Sequence, residues 1–214
     1  MMYVLHARPG WGSAIIELQL ACYGLPFRVV DHGDMFKSAQ ARAELAPLNP
    51  LSQLPTLELP GGEIMTESAA ITLHLADVTG SKALVPPPGD PHRPGFLRWL
   101  VFLVANIYPT FTYADDPARF VELEAARAPF RAKVDGYAQS LWRIANDRAG
   151  SPWFLGDRFS ALDLYIGVMV HWRPRRAWFA AECPRLDHIA AAAQARPELR
   201  GVWQRNFPDL AEAT

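Results

Sequence analysis

One run of nine residues constrains this chain most: Pro86-Pro87-Pro88-Gly89-Asp90-Pro91-His92-Arg93-Pro94, which holds five of the nineteen prolines. Proline lacks a backbone N–H and fixes φ, so such a run is extended chain, a linker or a surface crossing. The patterning differs on its two sides. Residues 1–80 carry 4 Lys/Arg against 8 Asp/Glu, and residues 81–214 carry 17 against 14, so a balance of −4 gives way to +3. No repeat or low-complexity tract is visible. At 214 residues the chain suits one large domain or two small ones, at about 100–200 residues each.

Before the run, strands and helices alternate. Tyr3–His6 reads as a short strand that begins the fold, and a signal peptide is not expected there. Ser13–Tyr23 has helical spacing of Ile15, Ile16, Leu18 and Cys22, with Gly24 at its stop. Phe27–Val30 predicts a second strand, and Ser38–Leu45 an Ala-rich helix. Thr56–Leu59 and Ile64-Met65 flank Pro60-Gly61-Gly62, a hairpin signal. Glu67–Val78 is amphipathic and closed by Gly80. The order β-α-β-α-β-β-α predicts a parallel first pair of strands and antiparallel hairpin partners.

After the run every segment predicts helix: 96–108, a long one over 118–147 with Pro129 as a bend point, 161–172, 186–195 and 197–203. The fold class is therefore α/β followed by an all-α bundle. The most apolar stretch, 96–108, falls short of the ~20 residues a membrane span needs.

Composition excludes several chemistries. A net charge of −1 argues against a basic nucleic-acid groove. Two cysteines, Cys22 and Cys183, cannot build a disulfide framework or a four-cysteine zinc site, and they fit a reducing compartment. No H-E-x-x-H, G-x-S-x-G or phosphate-binding loop motif is present. Gly10-Trp11-Gly12-Ser13 lacks the third glycine of a dinucleotide fingerprint, because Ile15 stands there.

Four segments carry a resemblance: Pro9-Gly10-Trp11-Gly12-Ser13, Leu48–Pro55, Thr66-Glu67-Ser68-Ala69-Ala70-Ile71, and Phe154–Asp163. In this order and at this spacing the chain resembles the cytosolic glutathione transferases, over nearly its whole length. The resemblance implies a thioredoxin-like glutathione-binding domain over 1–80, a linker over 81–94, and an all-helical domain over 95–214 bearing the acceptor site. It further implies a cytoplasmic homodimer and a detoxifying transferase. Glutathione would be the co-substrate and a small hydrophobic electrophile the acceptor, with no metal, nucleic acid or membrane.

Site residues follow by position. The Leu54–Pro55 bond is implied to be cis, which turns the Leu54 N–H and C=O outward, where a peptide backbone can pair with them as an added strand does. Glu67 and Ser68 open a helix whose first-turn N–H groups suit a carboxylate, so they and Gln53 would receive the γ-glutamyl end; helix capping is the other use of such residues. Ser13 would donate to the glutathione sulfur; its alternative role is a plain helix cap. Free thiols titrate near ~8.5, and lowering that by ~2 units takes about 2.7 kcal/mol. Lys37 is placed near the glycyl carboxylate or on the surface, and Trp11 walls the site or packs. Tyr108, Phe111, Tyr113, Trp172 and Trp178 are acceptor-wall candidates, or else core and interface aromatics. Two departures stand out. Gly12 occupies the place of a cysteine found in some bacterial members, and Ser52 stands where glycine is common. Ser160 and Asp163 form a capping box, a folding element.

Overall fold

The computed structural model describes residues 2–211. Strand β1 (Tyr3–Ala7) lies in the middle of a four-stranded sheet of order β2-β1-β3-β4. It runs parallel to β2 (Phe27–Asp31) and antiparallel to β3 (Thr56–Glu58), which pairs antiparallel with β4 (Ile64–Met65). The parallel pair requires a crossover, supplied by helix α1 (Ser13–Cys22). Helices α2 (Ala39–Leu45) and α3 (Ser68–Thr79) complete the expected order, with Ser38 capping α2 by accepting from the Ala41 N–H at 3.0 Å.

Alternation along β1 sorts its side chains. Tyr3, Leu5 and Ala7 pack with Ile16 and Leu20 of α1 and with Ile71 and Leu75 of α3. His6 points to the other face, where buried polarity is satisfied in a chain. Its Nε2 donates to Glu58 Oε1 at 2.7 Å, because a carboxylate can only accept, and its Nδ1 pairs with His32 Nε2 at 2.7 Å.

From Arg93 onward the described elements are helices: α4 (Arg93–Phe102), α5 (Tyr108–Asp115), α6 (Glu124–Arg148), α7 (Ala161–Met169), α8 (Arg176–Glu182), α9 (Pro184–Gln194) and α10 (Arg200–Asn206), joined by short helical turns and, over 149–160, by an irregular segment with a Trp153–Gly156 bridge. Pro94 falls in the first turn of α4, where no N–H is needed. The helix expected over 96–108 runs on to Asp115 through a π turn at Leu103–Ile107. Pro109 follows that turn; it lacks an N–H and crowds the carbonyl four residues back, and the wider turn takes up the misfit. Helix α8 lies outside the expected set.

Every residue of α7 is buried. Around it one core gathers Phe96, Trp142, Phe179 and Trp203 together with Ala14, Ile15 and Leu18 of α1. The sheet layer and the helical layer therefore share α1, and the loop that leads into α1 lies between them. No described helix is long and apolar enough to cross a membrane.

Candidate functional site

Chain leaving β1 turns through Arg8–Gly12 into α1. Gly10 has φ of 76°, a conformation that favours glycine. Both of its backbone groups are tied to the helical layer. Its N–H donates to Asn206 Oδ1 at 3.2 Å, and its C=O accepts from Trp172 Nε1 at 2.7 Å. Asn206 Nδ2 in turn donates to Glu17 Oε2 at 2.7 Å, and Arg205 Nε donates to Glu17 Oε1 at 2.8 Å. Sequence reasoning missed Glu17, Arg205 and Asn206. The available signal was Glu17 itself, an acid among apolar positions of α1.

Ser13 is 1 % exposed, and its hydroxyl is engaged twice within the loop. Oγ accepts from the Arg8 N–H at 3.0 Å and donates to the Arg8 C=O at 3.1 Å. The side chain thus closes the turn. It does not cap α1, whose N-cap Gly12 has no side chain to offer.

Beside this loop runs Leu48–Pro55. The Leu54–Pro55 peptide is cis, as the resemblance implied. Buried Asn49 shapes the segment: Nδ2 donates to the Gln53 C=O at 2.9 Å and to Thr56 Oγ1 at 3.1 Å, while Oδ1 accepts from the Leu51 N–H at 3.1 Å. Ser52, at φ of 49°, adopts the left-handed conformation that favours glycine, and its hydroxyl donates to the Arg42 C=O. Neither the N–H nor the C=O of Leu54 has a hydrogen-bond partner among the described residues. The side chain of Leu54 joins Trp11 and Leu48 against Met35, Ala41 and Leu45, and Trp11 lies 5.1 Å from the Phe36 ring.

At the head of α3, Glu67 occupies the N-cap with φ of 63° and makes no capping hydrogen bond with its side chain. Glu67 and Gln53 are both exposed, so neither side chain is committed to the fold. Ser68 is the first residue of α3. Lys37 projects into solvent, 3.4 Å from Asp34 Oδ2.

Three of the five proposed wall aromatics come together. Trp172 stands edge-on to Tyr108 at 5.3 Å and to Phe111 at 5.0 Å, while its indole N–H holds Gly10. Tyr113 and Trp178 stand outside this trio. Tyr113 faces Phe120 at 5.1 Å, and Trp178 faces Phe179 at 5.2 Å with the Arg143 guanidinium over it. Tyr113 lies two positions after Phe111 on α5, which puts them on different faces of the helix.

Tyr108 reaches the loop directly. Its hydroxyl is buried without a hydrogen-bond partner among the described residues, and burial holds its phenol well above the ordinary range. A β-carbon placed on Gly12 would lie 2.1 Å from that hydroxyl oxygen and 3.4 Å from the Leu54 carbonyl oxygen. Glycine at 12 is therefore what lets the tyrosine in. Gly12→Ala should destabilise the protein by about 1–3 kcal/mol through overpacking. Tyr108→Phe should rescue part of that loss in the double variant, because the two sites touch. Urea unfolding of the four-protein cycle measures the coupling; strict additivity would refute the contact. The two cysteines are not reactive by environment, since burial raises both thiols, Cys183 to about 12.

Comparison with known proteins agrees with this layout. The sequence pattern of the glutathione S-transferase N-terminal domain matches residues 13–78. The uncharacterized GST-like protein YncG of Escherichia coli (strain K12) is 39% identical over 208 residues, covering 96% of this chain and 98% of that one. Glutathione S-transferase GstA of Escherichia coli O157:H7 is 26% identical, covering 92% and 94%. Among solved structures, a glutathione S-transferase from Methylobacterium radiotolerans in complex with glutathione sulfonate superposes with a TM-score of 0.76 at 26% identity, covering 94% of each chain. A Sulfitobacter glutathione transferase homologue with bound glutathione has the same fold, with a TM-score of 0.80 at 21% identity, covering 94% of this chain and 96% of that one. The chain belongs to the glutathione S-transferase family.

Proposed function

We propose that this protein is a glutathione transferase, which binds glutathione along Leu54 and activates its thiol for attack on a small hydrophobic electrophile. One observation carries the reading. The N–H and C=O of Leu54 have no partner among the described residues, its carbonyl oxygen lies beside Gly12, and Tyr108, which Trp172 links to Phe111, reaches the same glycine. A tripeptide pairs there as an added strand does, and the aromatic rings offer an apolar surface to an acceptor. Exposed Glu67 and Gln53, with the uncapped head of α3, suit the ammonium and carboxylate of the γ-glutamyl end. Relatives whose structures hold glutathione or glutathione sulfonate support the same ligand. The reading extends to a cytoplasmic homodimer with a detoxifying role, and Lys37 is kept as a contact to the glycyl carboxylate.

A second reading is a glutathione-binding protein without turnover on the same fold. The engagement of the Ser13 hydroxyl by Arg8 favours it, because the serine proposed to touch sulfur is occupied. A glutathione-dependent isomerase or peroxidase would use the same thiolate with another acceptor. Titration calorimetry should give a glutathione Kd between micromolar and millimolar, and absence of binding at about 10 mM refutes every glutathione-based reading. Assays with aryl halides, epoxides, isothiocyanates and peroxides then separate them. Binding with no turnover on any acceptor selects the second reading.

A further inference from the structure

We propose that the hydroxyl of Tyr108, delivered from the helical layer, is a catalytic residue that donates a hydrogen bond to the glutathione thiolate. The inference rests on the glutathione reading above and deepens it. Three placements carry it. First, the Ser13 hydroxyl is not free to donate to sulfur, since it both accepts from and donates to Arg8. Second, Gly12 presents a bare α-carbon to the site, and the Tyr108 hydroxyl oxygen lies 2.1 Å from where its β-carbon would be. Third, the same point lies 3.4 Å from the Leu54 carbonyl oxygen, so the hydroxyl borders the backbone on which a cysteinyl residue would pair. The side chain of that cysteinyl residue stands within a few ångström of its own backbone, and so beside the phenol.

The chemistry suits the task. A buried hydroxyl with no partner is unfavourable, and an acceptor that satisfies it is bound preferentially. A thiolate is a charged acceptor, and hydrogen bonds to charged groups are the stronger ones. Burial keeps the phenol protonated, so Tyr108 donates without giving up its proton. The proton released by the thiol passes to solvent. Trp172 fixes the geometry, because its ring stands edge-on to Tyr108 while its indole N–H holds the Gly10 carbonyl. The N–H groups of Gly12 and Ser13 also lack partners among the described residues, so the phenol adds to a weak donor set.

Tyr108→Phe is the test, because it removes one oxygen that has no partner among the described residues. The thiol of bound glutathione is titrated by its ultraviolet thiolate absorbance in wild-type and variant protein. The expected result is a rise of about 1 pKa unit in the variant, with about tenfold lower turnover near neutral pH and a glutathione Kd raised several-fold, by no more than about tenfold, as the lost thiolate hydrogen bond requires. A thiol titration unchanged in Tyr108→Phe, with glutathione still bound, overturns the assignment and leaves the glutathione reading standing. Turnover lost with an unchanged titration also overturns it, since the hydroxyl would then serve the acceptor. Wild-type protein that binds no glutathione overturns both.

Discussion

Replacing Asp163 by alanine is expected to lower the unfolding free energy by about 3 kcal/mol near neutral pH. The carboxylate is fully buried at the head of α7. Oδ1 accepts from the Phe154 N–H at 2.8 Å, and Oδ2 accepts from the Ser160 N–H at 2.7 Å and the Ser160 hydroxyl at 3.2 Å. Alanine leaves two buried N–H groups without partners, each worth about 1–3 kcal/mol, and removes half of the capping box. Release of the buried charge offsets part of that loss. The adjoining Ala161 N–H donates to the Leu84 C=O at 2.9 Å, so loosening this turn also frees the chain that precedes α4. Guanidinium unfolding measures the effect, and a loss below about 1 kcal/mol would mean that the turn re-forms its hydrogen bonds elsewhere.

The same group sets a pH dependence. Burial raises the Asp163 carboxyl to about 6, against the pull of the donors from Phe154 and Ser160. Its folded value lies above the unfolded value of about 4, so the folded state holds the proton more tightly. The stability this proton supplies is fully present below about pH 4 and is lost as pH rises through about 6. The gap between wild type and Asp163→Ala should therefore narrow between those limits. A gap that widens would show that the three donors outweigh burial.

The parts of this architecture legible in the sequence are those set by short spacing. Period and punctuation gave the order of strands and helices through Gly80, and Ser160 and Asp163 of the capping box stand only three positions apart. The change of pattern across Pro86–Pro94 marked the start of the helical part, although Pro94 itself belongs to the first turn of α4. What remained hidden depends on distant pairing. Gly10 meets Asn206, 196 positions away in sequence. Tyr108 covers Gly12 only because a π turn and Pro109 set where α5 begins. Ser13 read equally well as cap or donor, and only the fold of the loop shows its hydroxyl on Arg8. Aromatic residues close in sequence, such as Phe111 and Tyr113, divide between the site wall and another pair because helix geometry separates them.

Arg205→Ala should lower the unfolding free energy by about 3–5 kcal/mol, more than Glu17→Gln, because only one partner of the pair is buried. The Glu17 side chain is 4% exposed and that of Arg205 54%. Without Arg205 the carboxylate stays in the interior with Asn206 as its remaining side-chain donor, which leaves its charge poorly compensated. Without the Glu17 charge, Arg205 turns to water at little expense, and glutamine keeps an acceptor for Asn206; the loss should then be about 1–2 kcal/mol. The consequence reaches the site through a single residue. Asn206 donates to Glu17 and the Val202 C=O with one end and accepts from the Gly10 N–H with the other. A shifted Glu17 carries Asn206 with it and releases the loop from which Gly12 faces Tyr108. Both variants should raise the glutathione Kd, Arg205→Ala the more, while Trp172 still holds the Gly10 carbonyl and keeps the loop from leaving entirely. Unfolding and calorimetric binding on the two variants measure both effects. If Glu17→Gln is the more damaging, the pair acts through its charge on the site and not by relieving a buried carboxylate.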